Sequence, residues 1–143
     1  GYMLLASTIA GMGFSNALCG VVHALAHACG GRYGVAHGVA NGILLTHDME
    51  FNQTVAVERL GHVAEAMGIS TRQLPGDLAA RAAVSAVSDL RAAIGLPAGL
   101  REVGVQREGL AQLAEDALGD AMMISNPRSA TADELVALLE RAY

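Results

Sequence analysis

From Thr54 onward, apolar residues recur at the three- and four-residue spacing of a helix that buries one face. Thr54–Met67 sets Val57, Leu60, Val63, Ala64 and Met67 on one side, with Gly68 placed to stop the turn. A second helix is predicted with Asp77 as its cap and Val84, Val87, Leu90 and Ile94 on its apolar face, ending at Gly95 and Pro97. A third begins near Arg107 and carries Leu110, Leu113, Ala117 and Leu118. The last opens on a capping box, Thr131-x-x-Glu134, ahead of Leu135, Leu138 and Leu139. Before His47 the pattern changes to near-continuous apolar stretches broken by glycines, which reads as buried helices. No run alternates with period two. The expected fold is all-α, a compact bundle of about six to eight helices in a single domain, residues 1–143.

Composition sharpens this picture. Hydrophobic residues make up 52% of the 143 but aromatics only 3%, with no tryptophan, so the apolar mass is aliphatic and suits close-packed helices. The net charge of −5 and the lack of a basic patch exclude nucleic acid as an expected partner. Residues 3–29 carry no formal charge, yet Ser7, Thr8, Gly11, Gly13, Ser15, Asn16, Gly20, His23 and His27 interrupt them, and no Lys or Arg cluster flanks them. A helix buried in a soluble core fits better than a membrane span. No positively charged leader precedes the apolar stretch. Cys19 and Cys29 lie outside any CxxC pair and read as buried core thiols in a reducing cytoplasm. Met3, Met12, Met122 and Met123 read as packing residues.

Four of the five histidines, His23, His27, His37 and His47, fall within 25 residues. Arg32 is the only Asp, Glu, Lys or Arg before them or among them. A buried imidazole needs a partner, so the cluster points to a buried site that handles a metal or a proton. His23 and His27, four residues apart, share one helical face, and Gly30-Gly31 is expected to end that helix before His37-Gly38 opens the next. HxxxH without the glutamate of HExxH gives no zinc-protease signature, and no GxSxG supports a serine hydrolase. His47 is read as structural. Glu58 and His62, also four apart, read as a solvated surface pair.

The run Ala10-Gly-Met-Gly-Phe14-Ser-Asn16-Ala-Leu-Cys-Gly20-Val-Val-His23-Ala-Leu-Ala-His27-Ala-Cys-Gly30-Gly31 resembles the iron-containing (group III) alcohol dehydrogenases. Tyr33-Gly-Val-Ala-His37-Gly38-Val-Ala-Asn41-Gly-Ile-Leu-Leu45-Thr-His47 looks like that family's second signature, and Ile124-Ser-Asn126-Pro127-Arg128 like its C-terminus. Thr46 and Ala36 stand where proline is common. The resemblance implies the C-terminal helical domain of the dehydroquinate synthase-like superfamily, within a two-domain enzyme that forms homo-oligomers at full length. Such an enzyme interconverts small alcohols and aldehydes with NAD or NADP on a divalent metal, Fe²⁺ foremost and Zn²⁺ second. His23 and His37 align with two of the four metal ligands, and His27 with a catalytic histidine near nicotinamide and substrate.

The remaining ligands, an Asp-x-x-x-His pair, and the N-terminal nucleotide-binding domain have no counterpart in these residues. The chain is therefore expected to begin after both and to be inactive alone. Two other readings stay open: a stand-alone helical module that binds metal or a partner, and a relative of glycerol dehydrogenase or maleylacetate reductase.

Overall fold

A computed structural model describes residues Gly1–Tyr143. Seven α-helices and three 3₁₀ turns make up the chain, with no strand. Helix α1 (Tyr2–Ala17) meets α2 (Val21–Tyr33) at 105° across a Leu18–Gly20 corner. Gly20 there takes φ +130°, a backbone region essentially reserved for glycine. Helix α3 (His37–Asn52) follows, then α4 (Val57–Ala66) and α5 (Gly76–Ala93), which pack against each other. Helix α6 (Leu110–Leu118), a 3₁₀ turn at Ala121–Ser125 and α7 (Ala132–Arg141) complete the chain.

Helix α2 lies at the centre, against α3 on one side and α6 on the other, while α7 closes over α3 and α6. Small residues allow this: Ala24, Ala26 and Ala28 are buried in one core with Leu25, Ile43, Leu44, Leu113 and Leu138. A second, smaller core joins α4 and α5 to Met49 of α3 through Leu60, Ala64, Ala80, Ala83 and Val84. The sole early charge, Arg32, forms a forked ion pair with Asp116 and so ties α2 to α6. The capping box at Thr131 and Glu134 forms as its sequence predicts, and Gly68 takes φ +88° behind α4.

Several expectations need correction. Gly30-Gly31 does not end α2; the helix runs on to Tyr33, and Gly34 at φ +67° caps it, because buried Cys29 and Val35 hold the last turn in the core. Asp77 is not the cap of α5. It sits inside the first turn, where its charge complements the helix dipole without a capping bond. The buried face of α5 consists of Ala79, Ala80, Ala83 and the expected Val84, with Val87 packed beside it, whereas the expected Leu90 and Ile94 are exposed.

The uncharged N-terminal stretch is only half buried. Helix α2 is core, but α1 buries no residue and leaves Met3 and Met12 exposed, so these two do not pack as expected. Apolarity marked α1 for burial, but within this chain only its C-terminal end, at Phe14, approaches the rest of the fold, beside His23. No single helix is long and apolar enough to cross a membrane; α1 and α2 together are, but with the 105° bend between them.

Candidate metal and proton-transfer site

The corner at Gly20 starts α2 so that His23 falls in its first turn and His27 one turn later. The Gly34 reversal returns the chain so that His37 is the first residue of α3. The three imidazoles thereby meet in one cleft of about 320 Å³, walled by Phe14, Leu18, Cys19 and Met122. Ring centroids of His23 and His37 are 5.2 Å apart, those of His27 and His37 5.3 Å, and those of His23 and His27 6.1 Å. The cleft is open rather than buried: His27 and His37 are exposed and His23 half-buried. That corrects the expectation of an enclosed site, and Cys19, on the wall and only partly covered, is not a core thiol either. Cys29 is, and burial pushes its thiol up to about 11.

His47 does not join the cluster. Ten residues along α3 from His37, about 15 Å of helix rise, it faces a separate polar groove with Glu50, Arg81, Asp89 and Arg91. Glu58 and His62 both lie on the solvent face of α4.

Each clustered ring has its own environment. Burial, reinforced by the neighbouring His37 and His27, pulls the His23 pKa below its ordinary value, and only Asp120 opposes this. Its Nδ1 is buried without a hydrogen-bond partner. The Asn41 amide donates to Nε2 of His37 at 3.1 Å and to the His37 carbonyl at 3.0 Å, which marks that ring nitrogen as unprotonated. Nδ1 of His27 lies 2.7 Å from Oδ2 of Asp120.

Two imidazoles held by one ion at ordinary metal–nitrogen distances and tetrahedral angles have centroids about 5 Å apart, so the His23–His37 pair suits a shared cation. The orphaned nitrogen of His23 and the unprotonated one of His37 supply the donor chemistry it needs. A cation on Nε2 of His37 takes the place of the Asn41 amide. No third His, Cys, Asp or Glu converges with this pair into a closed cage.

Sequence reasoning missed Asp120 and the scaffold around Asn126. Asp120 lies 93 residues from His27, at the start of a 3₁₀ turn, and no spacing rule connects the two. Asn126, noted only as part of a terminal motif, accepts from the buried Val21 N–H at 3.1 Å and exchanges side-chain bonds with Asn52. Arg128, beside it, donates to the Phe51 carbonyl and stacks on the Phe51 ring. Together they pin the beginning of α2, and hence His23, to the end of α3.

Comparison with known proteins identifies the family of this chain. The family model described as the C-terminal part of the Fe-containing alcohol dehydrogenases matches residues 1–143. The chain belongs to the iron-containing alcohol dehydrogenase family. It is 42% identical over 141 residues to the lactaldehyde reductase of Escherichia coli strain K12, spanning 99% of this chain and 37% of that protein. It is 34% identical over 140 residues to the NAD-dependent methanol dehydrogenase of Bacillus methanolicus, again 37% of that protein's length. Among solved structures, a 1,3-propanediol oxidoreductase superposes with TM-score 0.97 at 41% identity, over 99% of this chain and 37% of its own. An alcohol dehydrogenase from Oenococcus oeni gives TM-score 0.90 at 37% identity, over 94% of this chain and 35% of its own. The chain thus spans little more than a third of these family members, all named as alcohol or aldehyde oxidoreductases. The all-α fold matches the helical part of the family.

Proposed function

We propose that this chain is the metal-holding helical domain of an NAD(P)-linked alcohol dehydrogenase, with His23 and His37 as ligands of a divalent cation and His27 as the catalytic histidine beside the substrate. The observation that carries this reading is the convergence of three imidazoles from two helices in one open cleft, where His23 keeps an unpartnered nitrogen. A bound Fe²⁺ or Zn²⁺ supplies Lewis acidity toward an alcohol oxygen, and a nicotinamide supplies the hydride acceptor. The residues of this chain do the remaining work. His23 is kept neutral by burial and so stays competent to ligate at physiological pH. Phe14, Leu18 and Met122 give the cleft an apolar wall against which the carbon chain of a small alcohol or aldehyde packs. His27 stands at the rim, one turn from His23, where it can exchange a proton with a bound hydroxyl.

The domain spans residues 1–143, and dinucleotide binding with the remaining ligands belongs to a nucleotide-binding domain elsewhere in a longer protein. The free thiols Cys19 and Cys29 suit a reducing cytoplasm.

Zn²⁺ titration of this chain, followed by imidazole NMR signals near neutral pH, tests the ligand assignment. Weak binding that shifts His23 and His37 and fades as these rings protonate is the expected result. His23→Ala and His37→Ala abolish it, whereas His27→Ala retains it. Equal loss of binding in all three variants refutes the division between ligands and catalytic histidine.

A further inference from the structure

His27 touches one charged group, and that group comes from the far end of the chain. Asp120 begins the 3₁₀ turn that follows α6, and its two carboxylate oxygens do different things. Oδ1 accepts the Met122 N–H at 2.8 Å, which locks the side chain onto its own turn. Oδ2 meets Nδ1 of His27 at 2.7 Å. The carboxylate is the less exposed partner, at 21% against 43% for the ring. Burial pulls its pKa up, but the Met122 N–H and then the His27 ring outweigh that and hold it below the ordinary carboxylate range. It is therefore an ionised acceptor with no proton to donate. On the other flank the His37 ring stacks on His27 with an interplanar angle of 20°. One side of the imidazole is held in plane by stacking and one nitrogen is tethered. Nε2 has no partner within the chain.

We propose that Asp120 is a positioning residue for His27, fixing the imidazole in its Nδ1-protonated tautomer so that Nε2 stands bare as a proton acceptor in the cleft. The physical reason is the donor inventory. An ionised carboxylate only accepts, so the short contact to Nδ1 requires a proton on that nitrogen, and a neutral ring has only one. The same carboxylate stabilises the imidazolium that forms once Nε2 has taken a proton, then lets it be returned. Asp120 acts through His27 and need not touch the substrate. This consequence rests on the proposed role of His27; the tautomer itself does not.

The test uses nitrogen-15 NMR of this 143-residue chain at about pH 9, where imidazoles are neutral. In the wild type, His27 is expected to show a protonated Nδ1 and a bare Nε2. Asp120→Asn keeps the oxygen that caps Met122 but turns an amide donor toward Nδ1, so the proton should move to Nε2. His27 then faces the cleft as a donor. A wild-type ring protonated on Nε2 overturns the proposal without any variant. So does an Asp120→Asn chain with a dispersed native spectrum and an unchanged tautomer.

A parallel Zn²⁺ titration separates this proposal from the functional reading. Asp120→Asn should keep the wild-type Zn²⁺-induced shifts of His23 and His37 within about twofold in affinity, because it removes no ligand. Absence of any Zn²⁺ response in the wild type defeats the metal reading while leaving the tautomer result intact. Loss of Zn²⁺ response in Asp120→Asn alone makes Asp120 part of the ligand set and defeats the positioning role.

Discussion

Gly20→Ala and Gly31→Ala are both glycine-to-alanine changes at or within α2, and they should move stability in opposite directions. At Gly20 the backbone sits at φ +130° and ψ −159°, where an L side chain costs about 1–3 kcal/mol. The added Cβ also falls 2.8 Å from Oδ1 of Asn126. That oxygen cannot simply swing away, because it holds the Val21 N–H and the Asn52 amide. Freeing it leaves a buried donor unsatisfied, at about 1–3 kcal/mol. Together the two effects predict a loss of about 2–6 kcal/mol. At Gly31 the helix continues, the position is exposed and no atom lies within 4 Å of the added Cβ. Alanine there should gain about 0.5–1 kcal/mol from backbone entropy. Urea unfolding followed by helical circular dichroism reads both changes. With a slope of about 2 kcal/mol per molar urea, the midpoint should fall by about 1–3 M for Gly20→Ala and rise by about 0.3–0.5 M for Gly31→Ala. In an Asn126→Ala background the Gly20→Ala cost should shrink toward its backbone part, since the two residues share contacts. A near-neutral Gly20→Ala, or a destabilising Gly31→Ala, refutes the account of how α2 begins and continues.

Other outcomes follow from the same structure. Burial raises the Asp48 pKa to about 6 against an ordinary 3.8, so the folded state holds a proton that the unfolded chain has lost between these values. Its contribution to stability is therefore present below about pH 4 and lost as pH rises through 6. Asp48→Asn keeps an oxygen for the Asn52 amide and should gain about 1–3 kcal/mol at pH 8 and nothing near pH 4, read from urea midpoints at both pH values. Leu113→Ala, at a fully buried position between α2 and α7, should cost about 2–5 kcal/mol by the same assay. This chain alone, mixed with NAD or NADP and short alcohols, should give no metal-dependent turnover. In a full-length form, His23→Ala or His37→Ala should release the metal and abolish activity, whereas His27→Ala should lower kcat at unchanged metal content, checked by metal analysis beside steady-state kinetics.

Local rules reached far into this fold. The capping box at Thr131 and Glu134, the left-handed stop at Gly68 and the His23–His27 face each depend on residues within about one turn, so spacing alone located them. The helical class followed for the same reason. Where the neighbours that decide an outcome are distant in sequence, the pattern gave no warning. Gly30-Gly31 looked like a helix end, but core contacts of Cys29 and Val35 carry α2 past it to Gly34. Helix α1 reads as core by hydropathy, yet the 105° corner turns it away from the other helices. His47 shares a window with the other histidines, but ten residues of α3 carry it into a different groove. Asp120 reaches His27 only because α6 packs along α2 and delivers its following turn to the cleft. The sequence by itself determined the helices and two of the three cluster positions, since helix formation and i, i+4 spacing are local. Tertiary packing alone decided which imidazoles meet, which carboxylate they meet and which helix stays uncovered, because those depend on how helices distant in the chain are brought together.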